Sequence, residues 1–176
     1  SAIRIVEGGN VTMTGGSITN CGTTTGTSGC PIYIATGGSF TLESGSISNN
    51  TGNCGGAFYL NGGTLTMNGG QISDNSALIW GGAICTNNSG KGGTININGG
   101  SISGNKVTGK GSDSLDGGAF VLWDNAVANV TGGEIVNNYA TRCAGAIPSR
   151  NSATLNISGG LISGNSAGLG SCYCAI

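Results

Sequence analysis

The sequence predicts an all-β, right-handed parallel β-helix: one solenoid domain over residues 1–176, made of about six coils of three short strands each. Three observations predict it. A Gly-Gly-Ala-apolar step recurs as Gly55-Gly56-Ala57-Phe58, Gly81-Gly82-Ala83-Ile84 and Gly117-Gly118-Ala119-Phe120, and more weakly as Ala144-Gly145-Ala146-Ile147. Between these steps runs an alternating strand, a Gly-Gly step and then Ile-x-x-Asn, as in Leu65 to Asn75, Ile95 to Asn105 and Leu155 to Asn165. Aligned on Ala2, Pro31, Ala57, Ala83, Ala119, Ala146 and Ala175, the periods are 29, 26, 26, 36, 27 and 29 residues and fill the chain.

Within a period the apolar residues alternate, which is the signature of strands. Phe58 and Leu60 mark the first strand of one coil, Leu65 and Met67 the second, and Ile72 the third. Ile32, Ile34, Phe40, Leu42 and Ile47 repeat the pattern one coil earlier; Ile84, Ile95, Ile97 and Ile102 repeat it one coil later. Gly-Gly and Asn-Gly-Gly corners separate the strands, glycine supplying the positive φ of the bend. A single coil buries too little to hold itself together, so pairing with the coils above and below must stabilise it. The right hand follows from the general preference of parallel crossovers. An antiparallel sandwich would not repeat its core position for position. Ile97, central in the array, is expected to be buried.

The chain carries 37 glycines, two prolines and 7% charged residues, yet its hydrophobic fraction of 37% is too high for a disordered segment. A net charge of −1 provides no field for nucleic acid or for an anionic membrane. Nothing approaches the length of an apolar bilayer span, so direct membrane insertion is not expected. The opening at Ser1 without a signal peptide reads as a mature fragment or an excised piece. Ala2-Ile3 and Ala175-Ile176 fall at the same point of the repeat, and neither end shows a polar cap. The expectation is a parent protein that continues in at least one direction, with end-to-end self-association of this piece.

The repeat aligns several columns. Asn50, Asn75, Asn105, Asn138 and Asn165, with Cys21 at the equivalent place, close the third strand. Asparagine tolerates the left-handed corner and its amide can both donate and accept along a stack, so these residues read as a structural ladder. The outward positions of the second strand form a Thr/Asn face running from Asn10, Thr12 and Thr14 to Thr154, Asn156 and Ser158, interrupted by Glu43 and Val127. It is either a solvated sheet face or a carbohydrate- or ice-binding array. The first strand points Arg4, Tyr33, Tyr59, Cys85, Val121 and Pro148 outward, flanked by Trp80 and Trp123. Tyr33, Tyr59, Trp80 and Trp123 are candidates for stacking on sugar rings or anchoring a protein partner; otherwise they cover the sheet. The 36-residue coil holds the longest loop, Thr108 to Asp116, where Lys110 and Asp113 are further binding candidates; a smaller insertion covers Asn88 to Gly92.

Catalytic machinery is not expected. The chain has no histidine, and no acids cluster on an outward sheet face as β-helix glycosidases and lyases require. No cofactor and no metal are expected; the absence of a Cys-x-x-Cys pair argues against zinc. Seven cysteines remain. Cα atoms in adjacent coils lie ~4.8 Å apart, within disulfide range, which makes Cys143 with Cys172 and Cys30 with Cys54 candidate pairs. Cys85 reads as lone and outward-facing.

The pairing of Gly-Gly-Ala-apolar with apolar-x-x-Asn resembles the repeats of the chlamydial polymorphic outer membrane proteins, and is similar to β-helix repeat regions of large surface proteins from gut bacteria. This chain has Ile where the chlamydial motif has Phe before x-x-Asn. The resemblance implies a non-enzymatic adhesin or stalk at the bacterial cell surface or secreted, with a host surface protein or a glycan as partner, or a structural spacer. The other classes left open are a carbohydrate- or ice-binding solenoid and the remnant of a polysaccharide-active β-helix enzyme.

Overall fold

Strands run parallel and stack coil upon coil into a β-solenoid of about five turns, against the six periods counted in the sequence. The computed structural model describes residues 1–26, 29–109 and 116–168. Three sheets wrap the core. Sheet A stacks Ile3–Ile5, Ile32–Ala35, Phe58–Asn61, Ile84–Thr86 and Phe120–Val121. Sheet B has ten strands and carries the second and third strands of each coil, which are continuous in Asn10–Thr19 and Ser39–Ser48 and separate in later coils. Sheet C stacks Gly22–Thr23, Thr51–Cys54, Ser76–Trp80, Lys106–Val107, Tyr139–Ala140 and Ser166–Ala167.

The register keeps like over like. Val11, Phe40, Leu65, Ile95, Ala128 and Leu155 are aligned through successive pairings, as are Ile18, Ile47, Ile72, Ile102, Ile135 and Ile162. Most of these side chains form one continuous core in which Ile97 is fully buried. The coil that ends the described residues is open on one side: Ile157, Leu161 and Ile162 are exposed there.

The Gly-Gly-Ala step has a mechanical reason. Gly55, Gly81 and Gly117 adopt φ of +78°, +62° and +72°, the left-handed region where a Cβ is costly. Behind them, a Cβ on Gly56 would run into the carbonyl oxygen of Gly82, and one on Gly82 into that of Gly118. The next residue, Ala57, Ala83 or Ala119, then points into the core and is fully buried.

Two expectations about the coil need correction. Each period holds a fourth strand, that of sheet C, which the sequence conceals. Most of these strands are short and bury one small residue, such as Ala77, Val107 or Ala140, too little to print an alternation. The left-handed corner is also not at the ladder asparagine but one residue earlier, at Asn20, Asn49, Asp74, Gly104, Asn137 and Gly164.

Candidate functional site

Both faces of sheet A are buried, as parallel sheets usually require. Ile32, Phe58, Ile84 and Phe120 face the main core. On the opposite face Tyr33, Tyr59, Cys85 and Val121 form a second apolar cluster with Cys30 and Cys54, and Ala35, Ile79, Trp80 and Trp123 pack against it. The parallel register sets Tyr33 beside Tyr59 and Tyr59 beside Cys85. Tyr33 and Tyr59 stack with ring centroids 5.8 Å apart, and the Arg4 guanidinium lies 4.4 Å from the Tyr33 centroid. The covering residues come largely from sheet C, the one the sequence does not announce.

Between this cluster and the segment after sheet A opens a cleft of about 310 Å³, lined by Tyr33, Tyr59, Asn61, Trp80, Cys85, Thr86 and residues 87–89. The structure therefore brings together three of the sequence-designated residues, Tyr33, Tyr59 and Trp80. The polar wall was not anticipated as a site, although the insertion beginning at Asn88 marks its rim. Its geometry is fixed locally: Asn87 Nδ2 donates to Tyr59 Oη at 3.2 Å, and Asn87 Oδ1 accepts from the Ser89 N–H at 2.6 Å. Thr86 Oγ1 accepts the Trp123 N–H at 2.8 Å, tying this coil to the next.

Trp123 lies behind the cleft rather than in its lining. It packs edge-to-face on Trp80, centroids 5.2 Å apart, and Arg150 sits 5.1 Å over its ring. Arg150 also pairs with the fully buried Asp116. Among the described residues, Trp80 Nε1, Trp123 Nε1 and Asp116 Oδ1 are buried without a hydrogen-bond partner. Burial raises the Asp116 carboxyl above its ordinary range, against the opposing pull of Arg150 and Arg142. Lys110 and Asp113, the remaining binding candidates, lie outside the described residues.

The residues lining the cleft carry no formal charge. Burial pushes the Tyr59 phenol and the Cys85 thiol well above their ordinary values, and Cys30 to about 11. Cys85 thus remains a thiol, with no base or cation to activate it among the residues lining the cleft. No carboxylate lines the cleft either.

Cys30, Cys54 and Cys85 depart from their expected roles. Cys85 is neither lone nor outward in the solvent; it is 1% exposed and clustered with Cys54 and Cys30. Cys30 and Cys54 do not form a disulfide and carry free thiols. The pairing Ile32 with Phe58 sets Cys30 level with Gly56, while Cys54 is level with Trp80, so the two are staggered rather than stacked. Cys172, the proposed partner of Cys143, lies outside the described residues.

The asparagine column makes a continuous ladder. The Oδ1 of Asn75 accepts from both the N–H and the Nδ2 of Asn50, and the same double bond recurs from Asn75 to Asn105, Asn105 to Asn138 and Asn138 to Asn165. Each Nδ2 also donates to a third-strand carbonyl of the preceding coil, as Asn105 does to Ile72. On the Thr/Asn face the amides likewise occupy one another: Asn156 donates to Asn129, Asn129 to Asn96 and Asn98 to Asn68, each at 2.9 Å. The polar groups of that face are thus partly used within the solenoid, as are the Asn87 amide and the Tyr59 and Thr86 hydroxyls of the cleft.

Comparison of the chain with protein-family models, with curated proteins and with solved structures gives no match.

Proposed function

We propose that this β-solenoid is a non-enzymatic binding module of an extracellular bacterial surface protein, and that its cleft receives the end of a neutral glycan. The carrying observation is the composition of the cleft: three aromatic side chains, Tyr33, Tyr59 and Trp80, face a wall of Asn61, Thr86, Asn87, Asn88 and Ser89. A pyranose ring offers apolar C–H faces for the aromatics and equatorial hydroxyls for amides and hydroxyls, and it needs no charge. The volume, about 310 Å³, stands at the small end of ligand pockets, suited to a chain terminus rather than a long oligosaccharide. The surface location is supported by the motif resemblance to chlamydial and gut-bacterial repeats. The absence of an activated nucleophile or a carboxylate from the cleft lining supports binding without turnover.

The test is a glycan array probed with the full chain and with Trp80→Ala, each variant first shown to be folded by circular dichroism. The expected result is retention of a set of neutral glycans, weakened at least about tenfold by Trp80→Ala, since loss of an aromatic binding anchor costs about 1.4 kcal/mol or more. Binding that Trp80→Ala leaves unchanged would place the ligand elsewhere. An array without binders, together with capture of a purified host protein, would replace the glycan by a protein partner.

A further inference from the structure

We infer that Arg150 is a positioning residue of the aromatic cleft: held by Asp116, it seats on Trp123 and through that ring fixes the Trp80 ring that lines the cleft. The consequence for a ligand rests on the glycan reading above; the arrangement itself does not. The contacts form a continuous chain. Asp116 is fully buried and pairs with Trp80 and Cys143 in the adjacent coils, its carbonyl accepting the Gly81 N–H at 3.0 Å. Among the described residues, Arg150 is the one hydrogen-bond partner of the Asp116 carboxyl, from Nη2 to Oδ2, and Oδ1 has none. The Arg150 backbone is tied to the coil of Trp123, its N–H donating to the Leu122 carbonyl at 3.0 Å. From there the guanidinium stands 5.1 Å over the Trp123 ring, which packs edge-to-face on Trp80 with centroids 5.2 Å apart. Trp80 lines the cleft, whereas Asp116, Trp123 and Arg150 do not.

Three features make the pair a support for the rings. Neither buried indole N–H has a hydrogen-bond partner among the described residues, so ring contacts rather than polar bonds set the two orientations. A guanidinium presents a flat face to an aromatic ring and a fork of donors to a carboxylate, so one side chain engages Trp123 and Asp116 together. An arginine side chain that is 36% exposed samples several rotamers unaided, and the fully buried carboxylate selects the one that lies on Trp123. Residues 116 and 123 flank the sheet A strand Phe120–Val121, so Arg150, reaching from the next coil, ties together the two ends of that strand. Trp80 also packs against the cluster of Tyr33, Tyr59 and Cys85, and this is the competing support that the experiment separates.

The experiment labels the full chain with 5-fluorotryptophan and records its fluorine NMR spectrum. The chain has two tryptophans, so two resonances are expected, assigned with Trp80→Phe and Trp123→Phe. The double variant Asp116→Asn, Arg150→Ala removes the pair without stranding a buried charge, and circular dichroism first shows that it is folded. Both resonances, that of Trp80 included, are expected to shift from their parent positions, while Ile47→Val, a core truncation in sheet B, leaves both in place. Where the double variant does not fold, Arg150→Lys takes its place: it keeps a charge for Asp116 but no planar face for Trp123, and it too is expected to shift both resonances. A Trp80 resonance at its parent position in the folded variant, whether or not that of Trp123 has moved, would overturn the inference, as would a shift of equal size in Ile47→Val. The readout is the ring and not a ligand, so a glycan array without binders leaves this inference standing, and an unmoved Trp80 leaves the glycan reading to its own test.

Discussion

The side-chain oxygen of Asn105 accepts two hydrogen bonds from Asn75, one from its backbone N–H at 3.0 Å and one from its Nδ2 at 2.9 Å. In turn Asn105 Nδ2 donates to the Ile72 carbonyl and to Asn138 Oδ1. One fully buried amide thus satisfies polar groups in both neighbouring coils. Asn105→Ala leaves those groups unpaired in the interior and is expected to cost about 2–4 kcal/mol. Asn105→Asp keeps an acceptor for Asn75 but turns carboxylate oxygen toward the Ile72 carbonyl, so it should be destabilised most at neutral pH and partly recover in acid. Urea unfolding of both variants at pH 7 and pH 4 checks this. An Asn105→Ala midpoint equal to that of the parent would show that the ladder carries no net stability.

Core position in the solenoid sets the cost of truncation. Ile97 is fully buried between Met67 and Val130, while Ile157, in the same register column, is 55% exposed. Ile97→Ala should lose about 2–5 kcal/mol through lost transfer energy and the cavity left behind. Ile157→Ala should lie within about 0.5 kcal/mol of the parent. Equal losses in denaturant titrations would contradict the packing.

Much of the fold was legible because the repeat prints itself in large residues. Phe58, Leu65, Met67 and Ile72 each recur at fixed offsets, and the glycine pairs beside them report corners where a Cβ has no room. Sheet C escaped because Ala77 and Ala140 are small and its strands are brief. That omission hid the site as well. Without sheet C nothing covers the outward side of sheet A, so Tyr59 and Cys85 read as surface residues when they are 7% and 1% exposed. The aromatic members of the cleft were recognisable as unusual in a glycine-rich, weakly charged chain. Its polar wall was not, because Asn87 and Ser89 look like any turn until the loop is folded back on Tyr59.

Glycines of the two kinds should respond differently to an added methyl. Gly82 has no room, since its Cβ would meet the carbonyl oxygen of Gly118 and the backbone of Lys106 in the next coil. Gly82→Ala must push two coils apart and should cost about 3 kcal/mol or more, in the range of severe core disruption. Gly90 has φ +85° with open space around its Cβ. Gly90→Ala meets only the left-handed penalty, about 1–2 kcal/mol. Thermal melts rank the two, and a Gly90→Ala variant as unstable as Gly82→Ala would refute steric exclusion as the reason for the Gly-Gly step.

The buried thiols predict an alkaline weakness. Burial pushes Cys30 up to about 11, whereas in the unfolded chain a cysteine titrates near its ordinary value of 9.0. The folded state therefore keeps a proton that the unfolded state releases as pH rises between these values. By linkage, the stability due to Cys30 is fully present below pH ~9 and declines as pH rises toward ~11, after which it levels off. A displacement of about two pH units on a fully buried group corresponds to roughly 2–3 kcal/mol. Cys30→Ala cannot titrate there, so its stability should fall less over the same interval. Urea midpoints from pH 8 to pH 11 in the presence of dithiothreitol, for the parent and for Cys30→Ala, isolate this contribution from those of the other cysteines. Parallel curves for the two proteins would mean that Cys30 becomes charged as readily in the folded chain as in the unfolded one, and so is not sealed from water in solution.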